Sequence, residues 1–216
     1  MENKFNLKGT KECRAFAIPD LIIQPEGNVI EGHAAVFGQK ADINGWFYEV
    51  IERGAFNNTD FTDVLFSTNH NLDKIPLARS RNNNENSTLF LTIDDQGLYT
   101  RASLDVERNN ESLALYSAVE RKDVTGMSFI FYVRDETWED LDADMPTRRI
   151  TDIAKIIEVS AVSFPAYPQT DINARSLESL DSVKERLDSL KADYINKQNT
   201  IATEQRKKVI ILKTLL

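Results

Sequence analysis

From Cys13 to Val106 the apolar residues come in short runs with a period near two, broken by turn-forming residues, and this predicts strands. Cys13 to Gln24 mixes charged and apolar positions around Pro19. Val29 to Phe37 resumes after Glu26-Gly27-Asn28, so the two segments are expected to form a hairpin. Trp46 to Glu52 alternates again, and Asp63 to Thr68 leads into Asn69-His70-Asn71. Thr88 to Ile93 and Leu98 to Val106 flank Asp94-Asp95-Gln96-Gly97, a connection of hairpin length. The period then changes. Leu113, Tyr116 and Val119 fall on one helical face between Asn110 and Lys122, with Asn110 available as a cap.

In the second half, Ser128 comes two places after Gly126 and enters Phe129-Ile130-Phe131-Tyr132-Val133, which predicts a turn that delivers Ser128 onto the first position of a buried strand. Asp135 to Asp144 holds six acidic residues around Trp138 and is expected to be a solvated loop. Arg148-Arg149-Ile150 opens a further apolar stretch that reaches Phe164 and is ended by Pro165 and Pro168. From Ser176 the pattern is helical. Leu180, Val183, Leu187, Leu190, Tyr194 and Ile201 mark a coiled-coil seam in which Lys197 takes the one position that is not apolar. So short a seam is marginal by itself and is expected to pair with something.

Composition narrows the class. A chain of 216 residues with 41% hydrophobic content suffices for one domain with a core plus an appendage. A net charge of -8 argues against a nucleic-acid surface, which depends on clustered Lys and Arg. Cys13 is the single cysteine, so neither an internal disulfide nor a thiolate metal cage can form, and a reducing compartment fits. Met1 to Glu12 has no apolar core, and no run approaches the roughly 20 apolar residues that span a bilayer. A cytosolic, soluble chain is expected.

Ser128 at a strand entrance is a good seat for a nucleophile, and serine needs a base within hydrogen-bond reach. His70 follows an apolar run and lies among polar residues, where a strand would hand it to a surface cleft. A neutral imidazole can take the hydroxyl proton and later return it to the leaving amine. The third group, which orients the imidazole, is assigned to Glu158, a carboxylate inside an apolar strand that needs a partner there; Asp63 and Asp73 are the alternatives. His33 alternates into a strand and reads as a packed or rim histidine. Arg148 and Arg149 could orient an oxyanion-stabilising group or form an exposed pair facing the acidic run. A metal at His70 would need an all-oxygen remainder of the shell from residues such as Asp63 and Asp73; no metal and no cofactor is expected, and the glycines form no phosphate loop.

Taken in order, several motifs between about residues 10 and 175 carry a resemblance. They are Glu31-Gly32-His33-Ala34-Ala35-Val36-Phe37, Glu52-Arg53-Gly54-Ala55-Phe56, Asn69-His70-Asn71 with Pro76-Leu77-Ala78-Arg79, and Gly97-Leu98. Gly126-Met127-Ser128-Phe129 and the run from Glu158 to Pro168 complete the set. Together they resemble the prohead maturation proteases of tailed phages, serine peptidases related in fold to the herpesvirus capsid protease assemblin. The resemblance implies an α+β, mainly β fold: a herpesvirus-protease-like β-barrel with flanking helices over residues 10–175 and a C-terminal helical tail over 176–216. It implies that Ser128 is the nucleophile and His70 the base, with Glu158 in a family motif whose third member varies among relatives. It further implies an endopeptidase packaged in the immature capsid, in the host cytoplasm, which cuts the scaffolding segment from the major capsid protein and cuts itself. Self-association through the C-terminal helix would fit, with no nucleic acid or membrane partner. Ile130 departs from the family pattern, which has glycine after Ser-Phe; Ala78 stands where glycine is common, and His33 where tyrosine is. A relative with a decayed site, acting as an internal scaffold, is the alternative.

Overall fold

The computed structural model describes residues 11–16, 21–163 and 174–214. The prolines expected to end the last strand lie outside the described residues.

Two sheets carry the fold. The smaller one is built from β2 (Ile22–Gln24), β3 (Val29–Val36), β8 (Leu89–Ile93) and β9 (Gly97–Ser103) in the order β2-β3-β9-β8, all antiparallel. Of the two hairpins expected from the sequence the second is present; in the first only Ile22–Gln24 pairs with β3, while Cys13 to Phe16 belongs to a strand of the other sheet. The glycine of the second is required by space: a Cβ on Gly97 would stand 1.9 Å from the Ala35 carbonyl oxygen, inside any allowed contact.

The larger sheet runs β1 (Lys11–Phe16), β10 (Gly126–Glu139), β11 (Thr147–Val162), β5 (Phe47–Ile51) and β4 (Ala41–Ile43). β11 is long enough to have two partners on one side. Its first residues pair in parallel with β5, and Glu158 to Ala161 pair in parallel with β6 (Val64–Thr68), which continues to β7 (Ala78–Ser80). Among the described residues no ladder joins the two sheets: the fold is α+β and mainly β, and no closed barrel is found.

Alternation along these strands sorts the side chains. Met127, Phe129 and Phe131 of β10, Val159 and Ala161 of β11 and Phe66 of β6 turn inward with Ile30, Leu89, Leu98 and Ala102 of the smaller sheet to form the core. The Phe129 and Phe131 rings stack at 4.4 Å. The intervening residues, Ser128, Ile130, Glu158 and Ser160, therefore share the opposite face.

The helix α1 (Asn110–Glu120) is capped one residue earlier than expected, by Asn109, whose side chain accepts from the Glu111 and Ser112 backbone N–H groups. Its buried positions are Ser112, Leu115 and Val119, while Leu113 is 49% exposed. Of the expected face, Val119 is buried and Tyr116 packs partly buried against the core, while Leu113 gives way to Ser112, because a small serine can face the core.

The acidic stretch is corrected in its first half, whereas Asp140, Asp142 and Asp144 lie in an exposed turn as expected. β10 continues through Asp135 to Glu139, and Glu136 is buried. Arg148 donates to Glu12, Glu49 and Glu136, with Arg148 Nη2 2.7 Å from Glu12 Oε1, and Arg14 bonds Glu49 at 2.5 Å and Glu12 at 2.6 Å. The strands thus bring opposite charges together where neither could stay buried without the other. Finally, α2 (Ala174–Thr214) packs Leu180, Val183 and Leu187 on Ile43 and Phe47, beside Trp46, Trp138 and Leu141. The first part of the seam therefore docks within the chain, while Ile195, Ile201 and Ile210 are exposed.

Candidate active site

β6 ends at Thr68, and the chain turns sharply through Asn69 and His70, both at positive φ (50° and 55°). Left-handed backbone is uncommon for residues with a side chain, and here the turn is held from three sides. Asn69 N–H donates to the Ala161 carbonyl at 3.0 Å, Asn71 N–H to Thr68 at 3.1 Å, and His70 N–H to Ser160 Oγ at 2.8 Å. The turn lays the His70 ring back over the outer face of the sheet.

On that face, Ser128 of β10 is paired with Ser160 of β11, which is paired with Ser67 of β6. Three small side chains in one register row leave room beneath the ring. His70 Nε2 lies 2.6 Å from Ser128 Oγ, and His70 Nδ1 lies 2.6 Å from Glu158 Oε2. Glu158 is fully buried, and its other oxygen accepts from Ser160 Oγ at 2.6 Å and from Ser67 Oγ. The two serine hydroxyls occupy Oε1 and leave Oε2 to accept a hydrogen bond from Nδ1–H, which fixes the ring's orientation.

Two groups of β1 complete the surroundings. Cys13 Sγ lies 3.0 Å from His70 Nε2 and 3.7 Å from Ser128 Oγ, and the Ser128 hydroxyl donates to the Arg14 carbonyl at 2.7 Å. Burial by itself lowers the affinity of the His70 ring for its second proton. The contacts with Cys13 and Glu158 outweigh that, and the imidazole is pushed up to about 10. A cavity of about 780 Å³ opens beside the ring, between the turn and α1, lined by Cys13, His70, Leu72, Leu77, Ala118 and Ile130 among others.

The His70 ring therefore touches both of the other residues singled out from the sequence. Of the alternatives, Asp63 pairs with Arg79 at 2.5 Å, while Asp73 donates its backbone N–H to the Asn71 side chain and lines the same cavity as His70. His33 is buried, 2.9 Å from Asp94 and edge-on to Tyr99. Arg148 belongs to the buried ion network and Arg149 pairs with Glu52 and Glu139, so neither reaches toward Ser128. Among the described residues no group of three or more His, Cys, Asp or Glu is arranged to hold a metal ion.

Sequence reasoning missed Cys13, Ser67 and Ser160. Ser160 was within reach, because alternation from Glu158 puts it on the same face. Cys13 was not, since its proximity depends on which strand lies beside β10.

A buried carboxylate, an imidazole and a hydroxyl linked in that order form the proton relay of serine hydrolases. The family model for the caudovirus prohead serine proteases matches residues 20–186, and the chain belongs to that family, the serine peptidases of phage prohead maturation. No curated protein and no solved structure matches the chain. The matched span includes His70, Ser128 and Glu158 and begins after β1.

Proposed function

We propose that this chain is a serine endopeptidase that cleaves the scaffolding segment of the major capsid protein inside the immature capsid, and also cleaves itself. Ser128 Oγ attacks the scissile carbonyl. His70 Nε2 takes the hydroxyl proton and then passes it to the leaving amine, while Glu158 holds Nδ1–H and steadies the imidazolium. The observation that carries this reading is the His70 ring seated between Ser128 and Glu158, 2.6 Å from each. In the same reading the domain of residues 10–175 is the catalytic unit with an assemblin-like barrel. The helix beyond it serves for self-association or for contact with capsid protein.

Co-expression with the cognate capsid protein tests it. Loss of a nucleophile or base in such a relay typically lowers turnover by about a millionfold, so Ser128→Ala and His70→Ala should each abolish shortening of the capsid protein. Unchanged shortening in either variant rejects the assignment.

A second reading has one observation in its favour. Ser128 has no exposed surface, and Ile130 fills the place beside it. An inactive relative that binds the scaffold would co-purify with uncleaved capsid protein equally well as wild type and as Ser128→Ala.

A further inference from the structure

Ser128 is covered, yet a cavity opens beside it onto Cys13, His70 and Ile130. The cover is β1, the outermost strand on that side of the larger sheet. β1 runs antiparallel to β10 with Ala15 opposite Ser128 and Cys13 opposite Ile130. An extended peptide adding to the exposed edge of β10 would lie along this same line, since sheet edges recruit peptides by backbone pairing. The nucleophile's edge is thus already occupied by the chain's own segment.

The protons tell the same story. A serine hydroxyl has one proton, and that of Ser128 is donated to the Arg14 carbonyl at 2.7 Å. In the 2.6 Å contact with His70, Nε2 must then be the donor, and Nδ1 faces the Glu158 carboxylate. Both ring nitrogens carry a proton in this arrangement. Such a ring has no lone pair with which to accept the serine proton, in keeping with its raised pKa of about 10. Among the described residues, Glu158 from β11 and Cys13 from β1 are the titratable groups in contact with the ring.

β1 is held from behind. Glu12 and Arg14 alternate to the side away from Cys13 and enter the buried ion network with Glu49 and Arg148. A strand clamped by its even-numbered side chains presents Cys13 and the Arg14 carbonyl to the relay at fixed positions.

We propose that β1 is a built-in latch that keeps the peptidase latent: it occupies the substrate edge of β10, Cys13 caps His70 Nε2, and the Arg14 carbonyl holds the Ser128 proton until β1 is displaced. This rests on the Ser128, His70 and Glu158 assignment above.

The test uses the full chain and a fluorophosphonate probe. Its reaction forms an Oγ–P bond as the P–F bond breaks, with fluoride leaving and the hydroxyl proton passing to His70. Cys13→Ala removes the cap without touching the ion network. It should label at least about tenfold faster than wild type at pH 7, with its pH profile moved down toward the ordinary imidazole range. A second variant, Lys11→Cys with Tyr132→Cys, places two thiols directly across the ladder, so that oxidation ties β1 to β10 and leaves Cys13 in place. Oxidised protein, with the bridge mapped by mass to positions 11 and 132, should label more slowly than the same protein after reduction. Equal rates for wild type and Cys13→Ala, or for the oxidised and reduced double variant, overturn the latch. If no form labels above a Ser128→Ala control while circular dichroism shows native folds, the serine-nucleophile reading falls, and the latch with it.

Discussion

The backbone N–H of His70 donates to the hydroxyl of Ser160 at 2.8 Å, and that hydroxyl donates in turn to Glu158 at 2.6 Å. One small side chain thus fixes both the left-handed turn that carries the imidazole and the carboxylate that orients it. Ser160→Ala leaves a half-buried N–H without its partner and removes one of the donors to Glu158 Oε1. The cost in stability is about 1–3 kcal/mol. Misplacing the ring by a fraction of an ångström should lower turnover by roughly 10–100-fold, with KM little changed. Steady-state kinetics on a peptide substrate together with urea unfolding check both.

Glu158→Gln probes the carboxylate itself. An amide keeps the size but can present either a donor or an acceptor to Nδ1, and it loses the charge that steadies an imidazolium. In a comparable relay the change from acid to amide costs about 10⁴ in turnover. A similar drop is expected here, with circular dichroism unchanged. A variant within tenfold of wild type would show that Glu158 is dispensable to the chemistry.

The raised imidazole gives a pH signature. His70 binds its second proton more tightly in the folded chain, at about 10, than in the unfolded one, near the ordinary value of 6.5. Its contribution to stability is complete below pH 6.5 and is lost as the pH climbs toward 10. The melting temperature of wild type should therefore fall across that window, and the slope should be shallower in His70→Gln. Cys13→Ala should also flatten it, because the thiol is one of the two contacts that hold the proton on the ring.

How much of this was legible in the residues differs from place to place. The hairpin at Asp94 to Gly97 could be read because its turn chemistry is local, and Ser128, His70 and Glu158 could be read because few residue types suit those tasks. On α1 only Leu113 was misjudged, since the buried Ser112 that takes its place looks polar in any hydropathy pattern. The first half of the acidic run was misread for a deeper reason. Glu136 and Arg148 are burial-compatible only as a set with Glu12, Glu49 and Arg14, drawn from four strands, and nothing near Glu136 in sequence announces that. Cys13 belongs to the same class, where strand order decides proximity.

That network predicts a large effect from one substitution. Arg148 is 2% exposed and bonds three carboxylates; Arg148→Ala would leave Glu12 and Glu49 facing Arg14, and Glu136 facing Arg186 at 3.2 Å. Removing one partner from a buried ion pair typically costs about 3–5 kcal/mol, through the uncompensated charge left behind. Urea unfolding should register a loss of that size. Exposed pairs such as Lys74 with Glu111 offer the control, since Lys74→Ala should shift the midpoint little.

In α2, docking and pairing compete for one apolar seam. Leu180, Val183 and Leu187 are buried on Ile43 and Phe47, Lys184 lies over the Trp46 ring at 4.4 Å, and Arg186 reaches Glu136. Ending the chain at Arg175 removes these contacts and uncovers Phe47. Each buried apolar side chain is worth roughly 1.5–3 kcal/mol, so the loss should be several kcal/mol and visible as a lower melting temperature. Ending it at Lys191 keeps all of them and removes the exposed Ile195, Ile201 and Ile210. The fold should then melt as the full chain does, while any self-association carried by the outer half of the helix disappears in light scattering. An unchanged oligomeric state after truncation at Lys191 would assign the outer half of the helix to something other than pairing with a second copy.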